Sequence, residues 1–302
     1  MAIKPLILLD KCKGLHTGVA SIRVKYDTGS GATFLQACSN VVVDRAGRIT
    51  RRDGAVLKNA QAMLSIFSDG IDCVGQTNTA LFRIAADYTL TGLRDLTPGH
   101  KMYYAKSPEG IFYTNGVERG RVARFGLSMV WDRGVEEYSP VKTLIMSGPP
   151  EHFKHMHYNN GRLFVAVDKT VYYSDYRSYG NFYLERDMLQ YPDKVIGFAS
   201  SVKTLFVFTE KHVFSYPGPS MQDAVESVAS NIPLLEGTVA YNDSINSEFS
   251  TLPMWMTKNG LYVGFPDGQA RNVTEGRLIL PDTAGRGKAS CNGGQYIAIL
   301  DY

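Results

Sequence analysis

The sequence predicts an all-β protein, and three observations support this prediction. Apolar, aromatic and β-branched residues occur in short runs that Gly, Asn, Asp and Pro interrupt, which is typical of strands and turns. Helical periodicity is almost absent: its one candidate, residues 220–230, also fits an irregular loop leading into a strand. The third observation is a pattern that recurs along the chain, in which an apolar strand, a short polar turn and a second apolar strand follow one another.

The recurring pattern predicts a repeated fold. It occurs in AMLSIFSDGIDCV (62–74), KMYYAKSPEGIFYTN (101–115), RLFVAVDKTVYYSD (162–175), TLFVFTEKHVFSY (204–216) and PMWMTKNGLYVGF (253–265). The second strands begin 40, 60, 42 and 48 residues apart, at Ile71, Ile111, Val171, Val213 and Leu261. A period of about 40–50 residues is typical of four-stranded propeller blades. We therefore predict a β-propeller, with a β-sandwich or several small β-domains as the alternative.

We predict about six blades, closed by strands from both ends of the chain. QYIAILDY (295–302) resembles the first half of a further hairpin, and VVVDRAGRITRR (41–52) is an N-terminal hairpin that would complete it. Such closure removes both open sheet edges. Five or seven blades are the alternatives, because the 60-residue spacing holds an insertion around 127–152. No Pro/Gly/Ser-rich linker divides the chain, so residues 1–302 are predicted to form a single propeller domain.

Composition gives few indications of partners. The 302 residues carry 32 Lys and Arg against 29 Asp and Glu, and a net charge of +3 does not by itself indicate nucleic acid or a membrane surface. The cysteines form no C-x-x-C pair and predict neither a zinc ribbon nor a disulfide framework; they are Cys12, Cys38, Cys73 and Cys291. No apolar run is as long as a secretory or membrane segment. We expect a protein that is made in the cytoplasm and has no membrane anchor.

The candidates for catalysis and metal binding are weak. His155 and His157 would lie on the same side of a strand, near His152, but no familiar ligand spacing surrounds them, so half-exposed strand histidines are the preferred interpretation. Two carboxylate pairs, Glu136/Glu137 and Glu185/Asp187, are close in sequence only. No nucleotide-binding or hydrolase motif occurs. We therefore assign no catalytic, cofactor or metal residue and expect the chain not to be an enzyme.

The segment VYYSDYRSYGNF (Val171 to Phe182) is the densest cluster of aromatic residues. It is a loose match to S-x-D-x-G-x-x-W, a turn between propeller strands in which Ser and Asp side chains accept hydrogen bonds from the backbone. A structural turn is the preferred interpretation. A sugar or protein contact made by its tyrosines is the alternative.

Two segments resemble a known family. NVVVDRAGRITRRDG (40–54) and VYYSDYRSYGNFYLERD (171–187) are similar to segments of phage virion proteins of the tail tubular protein B and tail nozzle type. Those proteins contain propellers and lie at the portal-distal end of short phage tails. This chain is much shorter than the best-known tail nozzles. The resemblance implies a virion protein, with nozzle, head-to-tail connector and fibre adaptor as alternative positions.

From the resemblance we expect a structural component of a tailed-phage virion. Copies would form a homo-oligomeric ring or plate that attaches portal, adaptor or tail-fibre proteins, and passing DNA would make transient, non-specific contacts. The residues predicted to contact other proteins are Trp131, Tyr138, Pro149, Pro150, Tyr176 and Tyr179. The first alternative is a propeller that binds carbohydrate on a host surface through Tyr172, Tyr173, Tyr176, Tyr179 and Tyr183. The second is a glycosidase or sialidase.

Overall fold

The computed structural model describes residues 57–124, 126–131, 146–218, 221, 224–242, 252–275, 277–283, 285–292 and 295–301, together with four N-terminal strands. Those strands are β1 (Lys11–Leu15), β2 (Ala32–Leu35), β3 (Val41–Val43) and β4 (Ile49–Arg51). β1 pairs with β2 in parallel, and β3 pairs with β4 as an antiparallel hairpin. Within these residues no helix has the length and hydropathy needed to cross a membrane.

The first two blades are four-stranded antiparallel sheets in which each strand pairs with the next along the chain. Blade 1 contains β5 (Ser65–Ser68), β6 (Cys73–Gln76), β7 (Ala80–Ile84) and β8 (Leu90–Asp95). Blade 2 contains β9 (Tyr103–Ser107), β10 (Gly110–Thr114), β11 (Arg119–Ala123) and β12 (Ser128–Val130). This meander needs only short turns, which the Gly-, Pro- and Asp-rich breaks of the sequence provide.

Blade 3 has a divided outer edge. Its strands are β13 (His155–Asn159), β14 (Arg162–Val167), β15 (Thr170–Asp175), β16 (Ser178–Phe182) and β17 (Met188–Gln190). One end of β15 pairs with β16 through Ser174 and Asp175, and its other end pairs with β17 through Thr170 to Tyr172. The second half of the aromatic segment therefore forms an additional strand that the other blades do not have in the described residues.

The last sheets repeat the meander. Blade 4 contains β18 (Val195–Ser201), β19 (Thr204–Thr209), β20 (Val213–Pro217) and β21 (Ser227–Ser230). Blade 5 contains β22 (Ala240–Asn242), β23 (Leu252–Thr257), β24 (Gly260–Gly264) and β25 (Ala270–Asn272). They are followed by an antiparallel pair, β26 (Gly287–Asn292) and β27 (Gln295–Leu300).

The blades are arranged as a β-propeller, and the predicted fold class is confirmed. The first strands of neighbouring blades lie side by side: β9 contacts β13, β13 contacts β18, and β22 contacts β26. The core lies between the blades. Leu81 and Ile111 pack between blades 1 and 2, Phe112 and Leu163 between blades 2 and 3, Phe164 and Val207 between blades 3 and 4, and Phe208 and Trp255 between blades 4 and 5.

The predicted repeat is correct in length but shifted in phase. The segments 62–74 and 101–115 contain the first and second strands of their blades, whereas 162–175, 204–216 and 253–265 contain the second and third. Both kinds of strand pair are apolar and joined by a polar turn, so the sequence pattern does not distinguish them. The first strands begin at residues 65, 103, 155, 195, 240 and 287. The longest interval between successive first strands is therefore 52 residues, between β9 and β13. The insertion predicted around 127–152 begins only after Val130, because Ser128–Val130 forms β12.

Closure by the N-terminal hairpin stays a prediction, as does the count of six blades. In the described residues β27 pairs with β26 alone, and β3 pairs with β4 alone. One face of β27 packs towards blade 5 through Tyr296, Ala298 and Leu300, whereas Ile297 and Ile299 on the other face are exposed. Blade 1 exposes Ile66. Exposed apolar side chains thus lie on β27 and on β5, the strands that closure would bring towards each other.

Hydrogen exchange tests this closure. If the β3–β4 hairpin completes the last blade, the backbone amides of Gln295–Leu300 that point away from β26 donate hydrogen bonds to a strand of that hairpin. We expect these amides to exchange about 100-fold or more slowly than free amides. Replacing residues 41–51 by a Gly/Ser segment of equal length should remove that protection and leave the amides that face β26 protected. Solvent-like exchange of the outward amides in the unmodified protein would contradict the closure.

Candidate functional site at the channel mouth

The inner strands surround a cavity of about 230 Å³. We call it the channel-mouth cavity, because it lies where the first strands of blades 2 to 4 begin. Tyr103 and His155 are the first residues of β9 and β13, and Ile196 to Phe198 lie early in β18. The segment before β22, including Leu234, Glu236 and Val239, closes another side. The wall is therefore contributed by four successive blades.

Tyr103 connects the polar groups of this cavity. Its hydroxyl donates to Oε1 of Glu236 across 3.5 Å, and its ring meets the His155 ring edge-on at 4.7 Å between centroids. The Lys101 ammonium lies 5.6 Å from the centroid of the Tyr103 ring. Burial and the neighbouring Glu236 carboxylate both raise the pKa of Tyr103. The phenol therefore stays protonated at neutral pH and acts as a hydrogen-bond donor.

His155 and His157 lie on the same side of β13, as predicted, and both are half-buried. Burial lowers the pKa of His155 to about 4, and the ammonium groups of Lys194, Lys101 and Lys154 contribute in the same direction.

Burial and Lys106 likewise lower the pKa of His157 to about 4. The Nε2 atom of His157 lies 2.9 Å from Oγ of Ser200 on β18. Both rings are neutral at pH 7. In the described part of the chain no group of three His, Cys, Asp or Glu residues is positioned to hold a metal ion.

Trp131, predicted as an exposed contact residue, is instead an anchor of the core. It is 3% exposed, its indole N–H donates to the carbonyl of Tyr179 across 2.9 Å, and its ring packs against Phe112 and Phe153. The chain passes between blades 2 and 3 at this point, and this position buries the large aromatic surface. The prediction of an exposed contact was wrong for Trp131.

Residues 147–150, which follow the insertion, are anchored close to Trp131 between blades 2 and 3. Ser147 pairs with Phe182 of β16 through two backbone hydrogen bonds of 2.8 and 2.9 Å. Pro149 and Pro150 are buried, and their carbonyls accept hydrogen bonds from Nη1 of Arg119 at 3.1 and 3.2 Å. The two prolines are therefore not available as surface contacts, contrary to prediction.

Tyr176 and Tyr179, both predicted as contact residues, differ in their exposure to solvent. Tyr179 is 7% exposed and packs against Tyr158, so its predicted contact role was wrong. Tyr176 is 53% exposed and borders a small cavity of about 140 Å³ together with Asn159 and Arg162. Tyr138, the remaining predicted contact, lies outside the described residues.

The Ser-Asp turn has the structural role that the sequence predicts. Oγ of Ser174 accepts the backbone N–H of Leu163 at 2.9 Å, and Oδ1 of Asp175 accepts the N–H of Tyr176 at 2.8 Å. Phe182, at the position of the aromatic residue in the motif, is fully buried. Since Tyr183 is 8% exposed and Tyr172 and Tyr173 are half-buried, the segment does not present a continuous tyrosine surface.

Of the carboxylates considered for glycoside hydrolysis, Glu185 and Asp187 lie in the described residues, and their environments differ. Glu185 is exposed, whereas Asp187 is buried and accepts two hydrogen bonds from Arg186, at 2.6 and 2.7 Å. The Arg186 guanidinium lies 4.5 Å from the centroid of the Tyr183 ring. Glu136 and Glu137 lie outside the described residues.

Sequence reasoning missed Lys101, Tyr103 and Glu236. Tyr103 and His155 are separated by 52 residues, and Glu236 lies a further 81 residues along the chain, so no local motif joins them. Each lies at or shortly before the first strand of a blade, so what they share is a position in the repeat and not a local motif.

No protein-family model matches the chain. No curated protein matches it either. Several solved structures, however, are similar to it. BBS1N in complex with ARL6DN is 12% identical over 86% of this chain and 83% of that chain, with a TM-score of 0.51. A gluconolactonase from Xanthomonas campestris is 12% identical over 76% and 82%, with a TM-score of 0.44. Virginiamycin B lyase from Staphylococcus aureus is 13% identical over 76% and 75%, with a TM-score of 0.49. At this identity the similarity shows the fold alone.

These comparisons correct one expectation. We expected, from the missing motifs and the weak candidates for catalytic residues, that the chain is not an enzyme. Two of the similar propellers, the gluconolactonase and the virginiamycin B lyase, are enzymes. The expectation is corrected accordingly: the missing motifs do not exclude catalysis, because a fold does not determine function and catalytic residues contributed by several blades leave no contiguous sequence motif.

Proposed function

We propose that the chain is a structural subunit of a tailed-phage tail, positioned as a nozzle, tail-tip or head-to-tail connector component. Copies would form a closed ring around the tail axis, with heterologous contacts between neighbours. The ring would attach other virion proteins, namely portal, adaptor or tail-fibre proteins, and DNA would pass with transient contacts. The family resemblance supports this proposal through two segments that form defined elements, the β3–β4 hairpin and the β15–β16 region.

The observation that carries the ring proposal is the anchoring of the insertion. The indole N–H of Trp131 donates to the carbonyl of Tyr179, and Ser147 is paired with Phe182; both partners belong to β16. The two residues that flank positions 132–146 are thus both bonded to the same outer strand of blade 3. Anchoring both ends reduces the conformational entropy lost when the segment binds a partner. The intervening residues include Tyr138, whose predicted role as a contact residue stays a prediction.

Light scattering after size-exclusion chromatography, with negative-stain microscopy, tests the ring. We expect the unmodified chain to elute at a whole-number multiple of the monomer mass and to give ring-shaped particles. Replacing residues 133–144 by a Gly/Ser segment of equal length should yield monomers whose circular dichroism spectrum is that of the folded protein, because both anchors remain; their melting temperature should be lower, since a partner subunit stabilises the native state.

The matched control replaces residues 243–250, which join β22 to β23 on a different blade, and should keep the ring. An unmodified chain that stays monomeric at high concentration would contradict the proposal. A ring that survives replacement of 133–144 would exclude this insertion as its contact.

A further inference from the structure

The channel-mouth cavity holds an ammonium group and a carboxylate that are not paired with each other. Lys101 and Glu236 are the lining residues of this cavity that carry a charge at pH 7. Neither takes part in an ion pair within the part of the chain that the structure describes. Opposite charges that border one cavity without being paired favour a ligand that supplies a partner for each of them.

Tyr103 contacts both charged groups. The Lys101 ammonium lies 5.6 Å from the centroid of its ring, a distance at which the ring attracts a cation, and its hydroxyl donates to Oε1 of Glu236. The ammonium and the carboxylate therefore approach different parts of one half-buried side chain. Arg286 also lowers the pKa of Tyr103, but its guanidinium lies 3.6 Å from Asp301 and outside the lining of the cavity.

Much of the remaining wall of the cavity is apolar. β13, β18 and the segment before β22 contribute its apolar side chains, which are Met156, Ile196, Phe198, Leu234 and Val239. The volume of about 230 Å³ is smaller than the roughly 300–1,000 Å³ of pockets that hold drug-sized ligands. The cavity therefore suits a small molecule that combines two opposite charges with one apolar group.

We propose that the channel-mouth cavity binds a small zwitterion, namely a free α-amino acid with an apolar side chain. Lys101 pairs with its carboxylate, Glu236 pairs with its ammonium group, and its side chain packs against the apolar wall. A ligand with a single charge would leave one of the two protein charges without a partner, whereas a zwitterion satisfies both. This site is independent of the proposed tail function, which concerns the insertion and the outer edge of blade 3.

Isothermal titration calorimetry at pH 7 tests the site with L-leucine as the probe. We expect saturable binding of one leucine per chain. Two analogues each lack one of its charges: 4-methylpentanoate has no ammonium group, and 3-methylbutylamine has no carboxylate. Each analogue should bind about tenfold more weakly than leucine, because each leaves one charge-assisted contact unmade.

Two variants identify which protein charge meets which ligand charge. Lys101→Gln and Glu236→Gln should each weaken the binding of leucine about tenfold. Lys101→Gln should not weaken the binding of 3-methylbutylamine, which has no carboxylate to pair with Lys101. Glu236→Gln should not weaken the binding of 4-methylpentanoate, which has no ammonium group to pair with Glu236. A general loss of structure would instead weaken all three probes.

Lys106→Gln and Glu185→Gln are the matched controls, since both side chains are exposed and lie outside the lining of the cavity. Both should bind leucine as the unmodified protein does. The absence of saturable leucine binding would overturn the proposal, and so would equal affinity for leucine and both analogues. Unchanged leucine affinity in both Lys101→Gln and Glu236→Gln would also overturn it. Circular dichroism establishes that the variants are folded, and the analogues test the unmodified protein in any case.

Discussion

Replacing Trp131 by alanine is expected to destabilise the protein by about 3–5 kcal/mol, the usual cost of truncating a buried Trp or Phe. The indole is 3% exposed and contacts Phe112, Phe153 and Phe182, so its removal leaves a cavity between blades 2 and 3. It also leaves the carbonyl of Tyr179 without its indole donor. Urea denaturation followed by tyrosine and tryptophan fluorescence measures the change in the free energy of unfolding.

Two further variants serve as controls: one removes the indole N–H but keeps an aromatic ring, and the other removes an exposed aromatic residue. Trp131→Phe keeps most of the packing but removes the indole N–H, so we expect it to lose about 1–3 kcal/mol, the cost of an unsatisfied buried group. Tyr176→Ala removes an aromatic residue of the same predicted contact set, but one that is 53% exposed, and should change stability by about 0.5 kcal/mol or less. If Trp131→Ala were as stable as Tyr176→Ala, the anchoring role of Trp131 would be refuted.

The contrast between Trp131 and Tyr176 shows why the contact residues were only partly predictable. Both are aromatic residues in irregular segments, where no period of two or 3.6 indicates which side faces the core. Trp131 is buried because β16, an additional strand of blade 3, provides the carbonyl that its indole needs. A partner 48 residues away along the chain is not visible in the local pattern.

The fold was more predictable than the site because it depends on local signals. Alternation of apolar residues and polar turns identifies strands, and the repeat length indicates blades. The same signals do not give the phase of the repeat. Residues 220–230 illustrate another limit: Met221, Ala224, Val225 and Val228 fit a helical period, yet Ser227–Ser230 is β21, paired with β20. Tertiary pairing overrides a short periodic pattern.

The second large effect expected is a loss of stability on mild acidification, caused by His155 and His157. In the folded state the pKa of each ring is about 4, whereas an unfolded histidine has a pKa of about 6.5. Between these values the unfolded chain binds more protons than the folded chain, so the free energy of unfolding falls as the pH falls from about 6.5 to 4. It should be nearly independent of these two rings above pH 7.

The magnitude follows from the size of the shifts. One pKa unit corresponds to about 1.4 kcal/mol, and since both rings are only half-buried we expect each to contribute roughly 1–2 kcal/mol between pH 7 and pH 5. The charged groups that act on the rings are lysines: Lys194, Lys101 and Lys154 for His155, and Lys106 for His157.

Carboxylates titrate in a different pH range. The pKa values of Glu118 and Asp193 are lowered by hydrogen bonds and neighbouring charges, so the stability they contribute is lost only as the pH falls below about 4.5. Urea denaturation at pH 7, 6 and 5 therefore isolates the histidines. The double variant His155→Gln/His157→Gln should abolish most of the pH dependence in this range. The exposed His152→Gln should retain it, because that ring contacts solvent in both states. A double variant whose stability has the same pH dependence as that of the unmodified protein would place the acid sensitivity elsewhere and refute the lowered pKa values of His155 and His157.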